Sequence, residues 1–205
     1  MTDLKFYTHP KSRGRIARWM LHEVGADYEA IYLTYGGNMR GPEYARINPM
    51  KKVPAIQHGA AVVTEVAAIC AYLADAFPEN DLAPPPDQRA DYFRWLFFTA
   101  GPVEAAITNA ALKVEPSPEQ QPFVGYGDMG RVLDTLEAKF SASRFVCGDR
   151  FTAADVYVGS QVEFGLRFGT IEKRAAFEDY VGRATDREAW REANRLDDEA
   201  AAELE

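Results

Sequence analysis

Cysteine is scarce in this chain: Cys70 and Cys147 form neither a Cys-x-x-Cys pair nor a cysteine–histidine group of metal-ligand spacing. No metal is expected, and both thiols are expected to be buried in a reducing compartment. The three histidines, His9, His22 and His58, are too scattered to imply a metal by spacing. Basic charge is also short, with 23 lysines and arginines against 31 aspartates and glutamates and a net charge of −8. Sequence-independent nucleic-acid binding draws its affinity from cations that neutralise phosphates, so no nucleic-acid partner is expected. No apolar run approaches the ~18 residues of a membrane span. The first residues, Met1-Thr2-Asp3-Leu4-Lys5, lack the apolar core of a secretory signal, so a cytoplasmic chain with no membrane partner is the expectation.

What is present is the composition of an ordinary globule, 47% hydrophobic and 26% charged, at a length that allows one large or two small domains. Leu4 to Tyr7 is a strand-like run that stops at His9-Pro10. Ile16, Trp19, Met20 and Val24 then recur at helical spacing until Gly25, and Tyr28 to Leu33 resumes strand composition. Ala55-Ile56 and Ala61-Val62-Val63 flank a turn at His58-Gly59, and Val66, Ile69, Cys70, Leu73 and Phe77 mark one helix face. Residues 1–78 are therefore expected to form a small α/β domain of thioredoxin type. The proline-rich stretch 79–88 is the expected linker, and residues 89–205 the expected all-helical domain. Its helices are expected at Gln88–Leu112, Phe123–Phe140, Ala153–Phe168 and Ala175–Ala184, with the acidic end from Asp197 onward frayed.

Two segments point to chemistry. A proline that opens a strand, as Pro54 does in Lys51-Lys52-Val53-Pro54-Ala55-Ile56, leaves neighbouring backbone groups free for an extended ligand, and Val-Pro is a place for a cis bond. Ten residues on, Thr64-Glu65-Val66 stands at the mouth of a helix, where unpaired N–H groups favour anions.

These segments join two others in one resemblance. Tyr7-Thr8-His9-Pro10-Lys11-Ser12-Arg13 looks like the His-Pro-x-Ser segment of the serine classes, plant-type and bacterial, of the cytosolic glutathione transferase family. Asn48-Pro49, Lys52-Val53-Pro54-Ala55 and Thr64-Glu65 are similar to its glutathione cradle, and Phe151-Thr152-Ala153-Ala154-Asp155 resembles the capping motif of its second domain. Almost the whole chain is covered, and the nearest classes are the phi- and theta-like ones. The resemblance implies a thioredoxin-like domain followed by a helical bundle, glutathione as co-substrate, a homodimer, and attack of the glutathione thiolate on small apolar electrophiles.

Residue by residue, it implies that Ser12 stabilises the thiolate, with Tyr7 as the rival hydroxyl. Glutathione would be held by Arg40, Lys52, Val53, Pro54, Glu65 and Val66, and the electrophile by His9, Arg13 and Phe98 in a pocket walled by the aromatic run Tyr92–Phe98. Val66 departs from the serine common in the family and offers only its backbone N–H. Other readings within the fold are a glutathione-dependent isomerase, dehalogenase or peroxidase. From another class comes a weakly active binding or regulatory protein.

Overall fold

The computed structural model describes residues 3–204, which form two compact units: residues 3–82 together with 187–204, and residues 83–186.

The first unit is organised on strand β1 (Leu4–Thr8), in which Leu4, Phe6 and Thr8 are buried while Tyr7 faces the other side half-buried. Helix α1 (Gly14–Glu23) follows and ends at Gly25, whose φ of +60° suits a residue without Cβ. Strand β2 (Glu29–Tyr32) pairs parallel to β1, from Lys5 opposite Glu29 to Thr8 opposite Tyr32. After the short helix α2 (Pro42–Ile47), strand β3 (Ala55–His58) pairs antiparallel to β1, and β4 (Ala61–Thr64) completes a hairpin with it. The sheet order is β2-β1-β3-β4. Helix α3 (Val66–Ala76) buries Val66, Ile69, Cys70, Leu73 and Ala74, and it packs against α1 and the hairpin. A smaller cluster of Leu33, Met39, Tyr44 and Ala55, joined by Tyr7, Ile31, Ile47 and Val53, links α2 to the sheet. The α/β, thioredoxin-like arrangement expected for this part of the chain is what forms.

The last helix corrects the expectation of a frayed acidic end inside the second domain. Residues 188–203 form α9 (Glu188–Glu203), which lies along α1 in the first unit. Three ionic contacts fasten it. Both oxygens of the buried Glu23 carboxylate accept from Arg187, at 2.6 and 2.7 Å. Arg18 Nε meets Asp197 at 3.0 Å with side chains 2% and 0% exposed, and Arg15 reaches Asp198. The other Arg18 nitrogens donate to the hydroxyls of Tyr28 and Tyr32, at 3.0 and 2.9 Å, so the buried cation is well supplied with acceptors.

The second unit is helical: α4 (Ala90–Phe98), α5 (Glu104–Ala111), α6 (Met129–Ala142), α7 (Ala153–Phe168) and α8 (Ala175–Thr185). The single helix expected over Gln88–Leu112 is interrupted by a wider turn at Thr99–Val103, because Pro102 has no N–H to give the ladder. The helix expected from Phe123 starts at Met129 instead, where the Asp128 carboxylate accepts from the Arg131 N–H at 2.9 Å. Helix α7 is buried along Ala153–Val162 and carries the capping pair at its start. The fully buried Asp155 carboxylate accepts from the Val146 and Thr152 N–H groups (2.8 and 2.9 Å) and from the Thr152 and Tyr180 hydroxyls (3.0 and 2.9 Å). Burial nevertheless outweighs these bonds and pushes its pKa up to about 6. Among the described residues no helix is long and apolar enough to cross a membrane.

Candidate functional site

The turn from β1 into α1 is built around Ser12. Its hydroxyl donates to the His9 carbonyl at 2.6 Å, and its oxygen accepts the Gly14 N–H at 2.9 Å. The His9 bond holds the serine in the loop and the Gly14 bond ties it to the first turn of α1, where amides lack helical acceptors and the helix dipole favours negative charge. The bond from Gly14 pulls electron density from Oγ, and a rotation about Cβ–Oγ would turn the hydroxyl proton from the His9 carbonyl toward an anion. Gly14 is a requirement that spacing and composition did not suggest: a Cβ there would lie 2.0 Å from Thr8 Oγ1 and 3.0 Å from Ser12 Oγ.

Tyr7 lies on the opposite face of β1 from Phe6. Its hydroxyl donates to Gln57 Oε1 at 3.3 Å, its ring tilts against Tyr44 at 5.5 Å, and burial with the Glu29 charge raises its pKa. A tyrosine so placed is held as a packing residue of the α2 cluster. The His9 ring lies tilted by 37° against the half-exposed Tyr35, ring centroids 4.3 Å apart, and its Nδ1 accepts the Lys11 N–H at 3.1 Å. In the neutral ring the proton therefore sits on Nε2, and burial together with Lys11 favours that neutral form. Burial raises the pKa of the same Tyr35, and the Arg13 charge offsets only part of that rise. Phe98 belongs to the second unit, half-buried at the end of α4 with its ring edge-on to Trp95 at 5.5 Å. The aromatic run around it divides: Tyr92, Trp95 and Leu96 are core, whereas Phe93 and Phe97 are exposed.

The candidate cradle residues precede β3, whose first residue, Ala55, pairs with Tyr7 at the end of β1 that leads into the Ser12 turn. The Val53–Pro54 bond is cis, and Ala55 begins the strand directly after it. Val53 stands outside β3, and its N–H and C=O make no loop hydrogen bond among the described residues. The preceding turn is pinned at the Lys52 carbonyl, which accepts from Asn48 Nδ2 of the Asn48-Pro49 motif at 2.8 Å and from Tyr44 Oη, a group without an obvious sequence signal, at 2.6 Å. Lys52 and Arg40 both have exposed side chains, and Lys51 Nζ donates to the Arg40 carbonyl at 3.0 Å, linking the two basic segments.

Glu65 has φ 66° and ψ 121°, a conformation that costs a non-glycine residue roughly 1–3 kcal/mol and persists where the surroundings enforce it. Its exposed carboxylate makes no capping bond, leaving the first amides of α3 available. Val66 next to it is 7% exposed, so its methyls belong to the core and only its N–H can serve a ligand. A free backbone edge, an acid at a strained corner and open helix amides together suit a short peptide that carries an amine and a carboxylate. Among the described residues no group of three or more histidine, cysteine, aspartate or glutamate side chains is placed to hold a metal.

Residues 2–75 match the model of the glutathione S-transferase N-terminal domain, and residues 95–180 that of the glutathione S-transferase C-terminal domain. The chain is 26% identical over 183 residues to glutathione S-transferase GstA of Escherichia coli O157:H7, covering 85% of this chain and 90% of that protein. It superposes on a glutathione transferase of Methylococcus capsulatus at TM-score 0.77 with 28% identity, over 95% of this chain and 98% of the other. A theta-class glutathione S-transferase of Xanthomonas axonopodis pv. citri, solved with glutathione bound, aligns at TM-score 0.73 and 25% identity over 94% and 97% of the two chains. With both domain models matched in order and the four-stranded sheet and Thr152–Asp155 cap in place, the chain belongs to the cytosolic glutathione transferase family.

Proposed function

We propose that the chain is a glutathione S-transferase that joins the sulfur of glutathione to a small apolar electrophile. The thiol loses its proton, the thiolate forms the new carbon–sulfur bond, and the leaving group departs with its electron pair. The observation that carries this reading is the Ser12 oxygen held at 2.9 Å by the Gly14 N–H at the start of α1. A free thiol of pKa near 8.5 is mostly protonated at neutral pH, and each unit of lowering takes about 1.4 kcal/mol of preferential anion binding. One charge-assisted hydrogen bond supplies that amount.

In this reading Val53 pairs with the cysteinyl backbone beside Pro54. Glu65 accepts from the γ-glutamyl amine, and the α3 amides that begin at Val66 take its carboxylate. Arg40 and Lys52 serve the glycyl end. His9 and Arg13 are the proposed electrophile contacts in the first unit, and Tyr7 is a supporting residue rather than the thiolate donor. The working form is a cytoplasmic homodimer, for which a dimer mass in light scattering is expected.

The test is conjugation of a chlorinated nitrobenzene, with retention on immobilised glutathione as the binding control. Ser12→Ala is expected to lower kcat about tenfold or more and to raise the pKa of the bound thiol, while Tyr7→Phe changes kcat by less than about threefold. Full activity of Ser12→Ala would remove the serine from the reaction. No retention and no turnover in the unaltered protein would remove the transferase.

A further inference from the structure

Arg15 touches both the last helix of the chain and the loop that carries Ser12. Its Nε donates to the Pro10 carbonyl at 2.7 Å, one terminal nitrogen donates to Asn194 Oδ1 at 3.1 Å, and the other meets Asp198 Oδ1 at 2.5 Å. Pro10 lies between His9, which accepts from the Ser12 hydroxyl, and Ser12 itself. One planar cation thus spans three acceptors, two on α9 and one in the turn.

We infer that Arg15 is a positioning residue for the thiolate-stabilising turn, and that α9 sets its geometry. This rests on the reading of Ser12 given above. A guanidinium presents its N–H groups in a rigid fork, so fixing two corners on α9 aims the third at Pro10. The α9 partners are themselves fixed, because the buried Arg18–Asp197 and Glu23–Arg187 pairs hold the helix at points on either side of Asn194. Asp198 is 68% exposed, and a pair so open to water adds little to stability. What the contact supplies is direction: with α9 in place, the Pro10 carbonyl and the Ser12 hydroxyl beside it have one arrangement.

The experiment uses the full chain with three substitutions, Arg15→Ala, Arg15→Lys and Asp198→Asn. It reads steady-state kinetics with glutathione varied, amide hydrogen exchange and thermal melting. Arg15→Ala is expected to lower kcat about tenfold or more while KM for glutathione stays within about threefold, because the cradle at Val53 and Glu65 is untouched. The amides of Lys11, Gly14 and Arg15 are expected to exchange faster and those of β1 to keep their protection.

Arg15→Lys keeps the charge without the fork and is expected to recover only part of kcat. Asp198→Asn, exposed and safe for folding, is expected to produce a smaller change of the same kind. Unchanged exchange in residues 11–15 of both Arg15→Ala and Asp198→Asn would overturn the coupling, as would a loss of kcat that merely follows a lower melting temperature. The two readings fail separately. Full activity in Ser12→Ala removes the serine's role, whereas faster loop exchange in Arg15→Ala still shows that α9 orders the turn.

Discussion

Arg18 and Asp197 meet at 3.0 Å almost without access to water, one from the first helix and the other from the last. Removing one partner leaves the other charge buried and unpaired, which typically costs about 3–5 kcal/mol. Asp197→Ala is therefore expected to lower the free energy of urea unfolding by that amount. The apolar double replacement Arg18→Met with Asp197→Leu is expected to cost clearly less than the single change.

A methyl group at position 14 has no room. Gly14→Ala would press on Thr8 Oγ1 and on the Ser12 oxygen, and overpacking of this kind costs about 1–3 kcal/mol. Reduced thermal stability is expected together with a fall in kcat larger than the change in KM for glutathione, since the strain falls on the serine and not on the cradle. Wild-type kcat in this variant would contradict the geometry proposed for Ser12.

Val66→Ser is expected to move affinity and stability in opposite directions. A hydroxyl beside the α3 amides adds a bond to a charged group, about 1.5–3 kcal/mol or roughly ten- to a hundredfold tighter glutathione binding by calorimetry. The same change removes buried methyls and is expected to lower stability by roughly 1 kcal/mol in a denaturant titration.

Asp155 gives stability a pH dependence of definite sign. Its folded pKa, about 6, lies above the ordinary value of 3.8, so the folded chain keeps a proton that the unfolded chain has already released between those values. The contribution is full below about pH 4 and is lost as pH rises through about 6. Asp197, pushed the same way by burial, adds the same sign. Urea midpoints taken from pH 4 to 7 for the wild type and for Asp155→Asn, subtracted one from the other, should show the wild type losing stability relative to the variant as pH rises. A difference with the opposite slope would contradict it.

Neither thiol should be reactive in the folded protein. Cys70 is buried as expected, whereas Cys147 is only half-buried; burial still pushes the Cys70 thiol far up and the Cys147 thiol to about 11, and the thiolate is the reacting species. A chromogenic disulfide at pH 8 is expected to titrate both only after denaturant is added.

The sheet, the first and third helices and the two segments of the cradle were legible because each carries a local signal. Leu4, Phe6 and Thr8 alternate with exposed or half-buried neighbours, Gly25 stops a periodic run, and Pro54 and Glu65 stand where strand and helix begin. Helix α9 was not legible, and the reason is physical. Its buried positions are Ala193, Asp197 and Ala200, small residues and an acid, so no large apolar residue repeats every three or four positions and the segment resembles a solvated tail. The partner that buries Asp197 is Arg18, nearly the whole chain away. Pro102 was visible, but helical composition on both sides hid its effect, the widened turn that splits the expected helix. At the site, Ser12, Val53 and Glu65 were named from motifs. Asn48 was named in its motif too, whereas Gly14, Arg15 and Tyr44 act through contacts that no motif records.

The first unit closes only with residues 187–204, which the ribosome makes after the whole of residues 83–186. During synthesis residues 3–82 leave the exit tunnel long before α9 exists, and through that interval Arg18 and Glu23 have no Asp197 or Arg187 to meet. The unit that carries the sheet thus begins folding before residues 83–186 are made and finishes after them. A nascent chain stalled short of α9 would carry a sheet but not the finished turn around Ser12.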